Sequence, residues 1–381
     1  MRVRPLLLIV TALAACSSEP VTSDTTAQPA DRARAYIAAQ VARSRTPGIQ
    51  YLVLDSARVR FAYDGGWADL AQRAPMDSTT TMMAYSMSKT ITAAAVLTLV
   101  QEGRVALDSP IAAYLDSLPY DRAITVRQLL AHTSGLPNPI PLRWVHPAAR
   151  HPDYLEGPAL EAIIRAHPRL SSPPGTRYAY SNIGYWLLGG IVERASGQPF
   201  STYVRRRMFE PLGIAPAELG YTIPDGAPHA TGYLAKYSLT NLLKGWLIDR
   251  ELIGDYTGSW LAIRSHYVNG AAFGGLVGTA RGFGMFLQDQ LAPHSRVMND
   301  ATRALFFTQQ HTTAGKPIAM TLGWHIGQAN GSPFYYKEGG GGGFHNMMRL
   351  YPEEHIATIV MTNATGFDVR RFLDRVDPLF R

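Results

Sequence analysis

The stretch MAYSMSKTITAAAVLTLVQEG (residues 83–103) sets a single lysine, Lys89, three residues after Ser86 inside an apolar run of helical spacing. Positions three apart share one helix face, so the two side chains meet if the helix opens at Ser86, a residue type favoured at helix starts. A serine hydroxyl is a poor nucleophile until a neighbour accepts its proton. A lysine desolvated by apolar surroundings has its pKa lowered enough to do this, and an arginine does not. The helix start also offers an N–H and a positive dipole end to an oxyanion forming at an attacked carbonyl. The spacing alone is weak: 21 serines and 5 lysines in 381 residues give about 0.3 such pairs by chance. A capping serine beside a lysine that reaches for solvent explains it as well.

Two further stretches change the balance. In RYAYSNIGYWLLGG (177–190), Tyr180 and Asn182 stand just before an apolar helical run, and in YYKEGGGGGFHNMMRLYP (335–352), Lys337 and Gly339 end a strand-like segment. Singly, Tyr180 reads as an interface aromatic, Asn182 as a helix cap and Lys337 as an exposed strand-end charge. The ordered set Ser-x-x-Lys, Tyr-x-Asn and Lys-x-Gly resembles the serine β-lactamase and penicillin-binding protein superfamily, and its tyrosine variant is similar to class C β-lactamases and their DD-peptidase and esterase relatives. The likeness extends through LLAHTSGLP (129–137), SNIGYWLLGGIVERASGQPF (181–200), FEPLGI (209–214), AAFGGLVGTARGFGMFL (271–287) and YPEEHIATIVMTN (351–363), nearly the whole chain from Arg32 on.

That resemblance implies an α+β fold of the β-lactamase/transpeptidase type: an antiparallel sheet flanked by helices, a mostly helical lobe inserted at about 108–278, and an active site between them. It implies Ser86 as the acylated nucleophile, Lys89 as its proton acceptor or relay, and Tyr180 as base or shuttle. Asn182 would donate to a substrate amide or hold Lys89, and Lys337 would keep the site positive and meet a substrate carboxylate. Gly339 would let substrate approach the strand, while Gly340 and Ser86 would supply the oxyanion N–H groups. His132, in AHTSG, is framework held near a turn under this resemblance, although it invites a Ser–His reading. There is no Gly-x-Ser-x-Gly elbow and no His-Glu-x-x-His spacing among the eleven histidines, so neither metal nor other cofactor is expected.

The sequence departs from the pattern in two places. Glu338 occupies the middle position where a threonine helps hold the carboxylate of β-lactams. It would repel that group from the cleft, unless strand alternation turns it away from Lys337. The run Gly339 to Gly343 suggests a strand edge easy to deform. Between Tyr233 and Gly270 the chain is longer and more apolar than the fold requires. Leu239, Leu242, Leu243, Trp246 and Leu247 follow helical spacing and predict one apolar face, packed on the helical lobe or serving as a lid or membrane-resting patch.

The composition, 46% apolar and 17% charged residues, fits a soluble globular protein of one large or two interleaved domains with a full core. MRVRPLLLIVTALAAC (1–16) reads as a signal peptide over residues 1–15, and Leu13-Ala14-Ala15-Cys16 resembles a lipobox, which implies lipidation of Cys16, the chain's only cysteine. Residues 16–31 then form a polar tether and 32–381 the hydrolase domain. The formal charge of +7 is carried by 31 scattered arginines among 36 basic residues, so no nucleic-acid partner is expected. The reading is a lipid-anchored, periplasm-facing bacterial serine hydrolase acting on a small ester, amide or peptide, with an ester placed ahead of a D-Ala-D-Ala-type peptide and of a β-lactam. The rivals of another class are a catalytically silent penicillin-recognising protein and a membrane-surface binding protein.

Overall fold

The computed structural model describes residues 27–116, 118–139, 144–329 and 331–381. The segment read above as a signal peptide, Cys16 and most of the expected tether lie outside these residues.

Two seven-residue segments from opposite ends of the chain, Gly48–Leu54 and Ile356–Thr362, are buried at every position. Strands buried on both faces belong at the centre of a sheet, and these two pair antiparallel, with Ile49 opposite Thr362 and Leu54 opposite Ala357. Around them the seven-stranded sheet runs His325–Ala329, Ser332–Gly341, Phe344–Tyr351, Ile356–Thr362, Gly48–Leu54, Val59–Asp69 and Ala74–Pro75. The single antiparallel sheet expected from both chain ends is present, although the segment TLGWHIG becomes strand only from His325.

One face of the sheet is covered by the terminal helices Pro29–Ala42 and Val369–Val376, which bury Ile37, Phe372 and Leu373 against Tyr51, Val53 and Val360. Asp377, just past the last helix, is buried where Tyr51, Tyr351 and Thr358 all donate to its carboxylate. The opposite face carries the helix Ala280–Leu291, where Gly284 leaves room for Leu52 and Leu54. Beyond it lies the helix Ser88–Gln101, buried at every residue from Ser88 to Leu99. A helix apolar all round lies inside a core, and this one packs on Asn182–Ser196 of the inserted lobe.

The insertion is less helical than its sequence suggests. It contains a three-stranded sheet of Gly232–Ala235, Trp260–Ile263 and Ile253–Thr257, and a short pairing of Val145–Pro147 with His266–Val268. The Leu239 to Leu247 segment is not one packed helix. It forms two single turns, Leu239–Leu242 and Lys244–Leu247, with Leu239, Leu242, Leu243 and Trp246 facing outward.

Candidate active site

The turn that carries Ser86 differs from the simple helix start. Tyr85–Met87 form a 3₁₀ turn, and the α-helix opens at Ser88. Ser86 therefore caps nothing, and its Oγ lies 2.6 Å from the Tyr180 hydroxyl and 3.0 Å from Lys89 Nζ. The competing Ser88 hydroxyl is buried and committed, donating to Tyr85 O and accepting from Leu276 N–H.

Lys89 is fully buried. Desolvation, reinforced by the nearby charge of Lys337, pushes its amine well below the ordinary lysine range. Its remaining neighbours are two oxygens that only accept, Asn182 Oδ1 at 2.7 Å and the Phe273 carbonyl at 2.6 Å. A neutral amine has two hydrogens for those two acceptors, which leaves its lone pair for the Ser86 O–H. Burial pushes the Tyr180 phenol up despite its bond to Ser86. Tyr180 is therefore protonated at neutral pH and donates to Ser86 Oγ.

Tyr180 is held by the residues around it. The His132 ring lies 4.4 Å from its ring, centroid to centroid. His132 sits at φ +55° and accepts the Ser181 N–H on Nδ1 at 3.2 Å. Burial drives its pKa well down, so it is a neutral wall beside Tyr180, consistent with a framework residue. Ser181 caps the helix Asn182–Ser196 through Gly184 N–H, which fixes Tyr180 and Asn182 on either side of one helix start.

The strand Ser332–Gly341 supplies the back of the site. Its outer neighbour ends at the Tyr336 pairing, so the edge beyond it is open toward the Ser86 turn. Alternation puts Lys337, Gly339 and Gly341 on the face toward that turn and Glu338 on the other, where it accepts from Arg370 at 2.6 Å and bonds His345 at 2.8 Å. Those partners hold the Glu338 carboxyl down at about 2 against its burial. Glu338 therefore points away from the cleft, as alternation allows.

Three expectations need correction here. Lys337 does not reach into the cleft. Its Nζ is buried 5.8 Å from the Tyr180 ring centroid, with no hydrogen-bond partner among the described residues, and burial alone brings its pKa to about 7. The bare face of Gly339 is filled by the enzyme's own backbone: a Cβ there would lie 2.1 Å from Ala84 O and 2.9 Å from Ser86 N. The glycine run is also not loose. A Cβ on Gly341 would enter the Tyr85 ring, and Gly343, at φ +92°, packs on Gly232.

Tyr85 escaped the sequence reading. It stands at φ +48°, an uncommon region for a bulky residue, with its hydroxyl 2.7 Å from His266 Nε2 and donating to Gly342 O at 3.3 Å. The glycines opposite an aromatic neighbour of the nucleophile were the only available signal.

Above Ser86 opens a cavity of about 290 Å³, walled by Leu234, Leu247, Ile248, Leu252, Ile263 and Phe273, with Asn182, Gly340 and Gly341 at its polar end. No carboxylate, lysine or arginine lines it among the described residues.

Lys337 makes two opposite contributions. Its proton is favoured in the unfolded chain (pKa 10.5) and not in the folded one (about 7), so stability rises with pH between those values and the burial cost is fully present below about 7. Lys337→Met is expected to stabilise the fold at pH 6 by up to roughly 5 kcal/mol, a gain that fades toward pH 10. It also removes a positive neighbour of Lys89, so the acid limb of kcat/KM should move to higher pH. Thermal melts across pH together with a pH–rate profile check both. A variant that melts earlier at pH 6, or keeps the wild-type limb, contradicts this account.

Comparison with known proteins gives the same picture. The Beta-lactamase family model matches residues 33–377. The D-aminopeptidase of Brucella anthropi is 34% identical over 189 residues, a match spanning 49% of this chain and only 35% of that protein. Penicillin-binding protein 4* of Bacillus subtilis is 24% identical over 326 residues, 82% of this chain and 67% of the relative. Among solved structures, the D-amino acid amidase of Ochrobactrum anthropi SV3 superposes at a TM-score of 0.78 with 22% identity, covering 93% of this chain and 99% of the amidase. EstCE1, a hydrolase with promiscuous acyltransferase activity, superposes at 0.67 with 21% identity, covering 93% and 98%. With a family match over almost all of the described chain and the fold shared by penicillin-binding-protein-like serine hydrolases, the protein belongs to the beta-lactamase family.

Proposed function

We propose that the protein hydrolyses carboxylic esters with an uncharged, apolar acyl group, through an acyl-enzyme on Ser86. The observation that carries this reading is the position of Ser86 Oγ between the Lys89 amine and the Tyr180 hydroxyl, at the floor of an apolar cavity.

In the first half-reaction, Ser86 Oγ attacks the ester carbonyl carbon and its proton passes to the Lys89 lone pair. The carbonyl oxygen, now negative, is met by the Ser86 N–H and by an N–H on the open strand edge, for which Gly340 is the candidate. As the carbon–oxygen bond breaks, the Tyr180 O–H protonates the departing alkoxide, and the Lys89 ammonium returns the proton to the phenolate. Water then retraces the same path and frees the acid. Asn182 Oδ1 and the Phe273 carbonyl keep the amine aimed throughout.

The cavity favours an ester over the rival substrates. A β-lactam or a peptide C-terminus brings a carboxylate and an aminopeptidase substrate an ammonium, and burying either is costly where, among the described residues, the cavity lining offers no counter-charge. The likeness to a D-aminopeptidase makes a D-amino-acid amide the second reading.

Intact-mass spectrometry after exposure to a fluorophosphonate, a penicillin and p-nitrophenyl esters of increasing chain length, alongside a D-amino-acid p-nitroanilide, tests the proposal. The expected result is a fluorophosphonate adduct mapping to Ser86 and kcat/KM highest for apolar acyl esters. An adduct on Ser88, or faster turnover of the anilide or of a chromogenic cephalosporin, overturns it.

A further inference from the structure

Among the described residues nine large hydrophobic side chains are exposed, and six of them, Tyr237, Leu239, Leu242, Leu243, Trp246 and Tyr256, belong to one corner of the insertion. Single exposed apolar residues need no explanation, but a cluster of this size does. Tyr237 and Leu242 are 90% and 79% exposed, so the corner is not a packed layer. The next residues on the same two turns, Thr240, Leu247 and Ile248, line the cavity above Ser86. One short segment thus shows solvent an apolar outside and the reaction chamber an apolar inside.

The charges nearest its apolar side chains are lysines. Between Lys236 and Ile248 the segment carries Lys236 and Lys244, the latter bonded to Asn241, and the carboxylates Asp249, Glu251 and Asp255 follow only beyond it, with Glu251 paired to Arg150. The protein has five lysines, of which Lys89 and Lys337 are buried in the active site, so two of the remaining three stand here. Lys236 Nζ lies 5.7 Å from the Tyr237 ring centroid and 5.8 Å from that of Tyr256, holding its charge over the aromatic rim. Leucine and tryptophan flanked by tyrosine and lysine make a surface that enters the headgroup layer of a bilayer while its cations meet anionic lipid. No helix among the described residues is long and apolar enough to cross a membrane, so the contact is one of resting upon it. Twelve residues separate Cys16 from the helix that begins at Pro29, a span of at most about 47 Å when extended, which lets the body of an anchored chain meet the same surface.

We propose that the Tyr237–Trp246 corner docks on an anionic lipid bilayer and opens the acyl cavity toward it. Apolar substrates then pass from lipid to the cavity along Leu247 and Ile248. The docking stands independently of the proposed function, on which the passage of substrate rests.

The test places an environment-sensitive fluorophore at Leu242→Cys in the full chain carrying Cys16→Ser, with Lys316→Cys as the control site. Phosphatidylglycerol-containing vesicles should shift the emission at position 242 to the blue and leave position 316 unchanged, whatever else holds the chain to the vesicle. Adding Leu239→Ser and Trp246→Ser should weaken the vesicle titration read at 242 by at least about tenfold. Activity on a soluble short-chain ester should stay within about twofold, because none of the three positions lines the cavity. An unshifted dye at 242 overturns the proposal. So does a dye already blue without vesicles in a chain that sediments as a dimer, which would assign the corner to a second copy. Loss of all esterase activity with the shift retained would count against the ester reading alone.

Discussion

Replacing Lys89 by Arg is expected to lower kcat/KM for a p-nitrophenyl ester by roughly 10²–10⁴-fold, about as much as replacing it by Ala. Charge is kept and function is lost, because the group must be neutral to take the Ser86 proton. A guanidinium is protonated at any working pH and has no lone pair to offer. The site is built for an amine that gives its proton up: burial is the larger cause of its lowered pKa and Lys337 the smaller, while the Asn182 and Phe273 oxygens take two hydrogens and leave the third position open. The sign is definite. Activity rises as pH climbs through the lowered Lys89 value and falls off on the acid side, where the amine is protonated. Steady-state rates of the Arg and Ala variants measured from pH 5 to 10 decide the matter, and an Arg variant within tenfold of wild type would remove Lys89 from the role of base.

Gly339→Ala should be strongly damaging to catalysis. The added carbon would stand 2.1 Å from the Ala84 carbonyl oxygen and 2.9 Å from Ser86 N, and both are backbone atoms of the nucleophile turn. Neither can swing aside, so strand and turn must separate and carry the Ser86 N–H away from the oxyanion position. The expected result is a loss of more than about 100-fold in kcat, the scale on which a displaced oxyanion donor acts, with several degrees off the melting temperature. Gly340→Ala is the matched comparison: its Cβ points to the opposite face and meets the edge of the His345 ring at 3.2 Å and Phe344 O at 3.6 Å, so a small side-chain shift relieves it, the N–H is kept, and the loss should be much smaller. Equal behaviour of the two variants would mean that the strand does not back the turn closely.

The sequence made the central sheet legible because its strands are short, apolar and bounded by turn residues at both chain ends. It made Ser86, Lys89, Tyr180 and Asn182 legible through their order along the chain, and the structure brings these four side chains together. It concealed what depends on close approach. A glycine's empty side is not marked in a sequence, so the run at 339–343 suggested looseness where neighbouring atoms fill the space beside Gly339, Gly341 and Gly343. Lys337 was placed in the cleft by the resemblance that Lys-x-Gly carries, and only the rings of Tyr180 and Tyr185 near its Nζ show that it is enclosed. The Leu239 to Leu247 spacing was helical, yet the chain leaves the helix at Leu243 and forms two single turns, whose leucines and tryptophan at 239, 242, 243 and 246 face outward.

The pairing of Gly48–Leu54 with Ile356–Thr362 also fixes when the enzyme can exist. The nucleophile turn is made early in synthesis, but its backing strand begins at Ser332 and the central partner strand at Ile356. A chain still being made therefore holds a serine and a lysine with nothing to press them together, and the desolvation that activates the amine is absent. Contacts across some three hundred residues must close before the chemistry is available, which makes folding slow and the unfinished chain inert. A hydrolase assembled this way cannot act on the membranes or metabolites of the compartment that makes it until its last strands are in place.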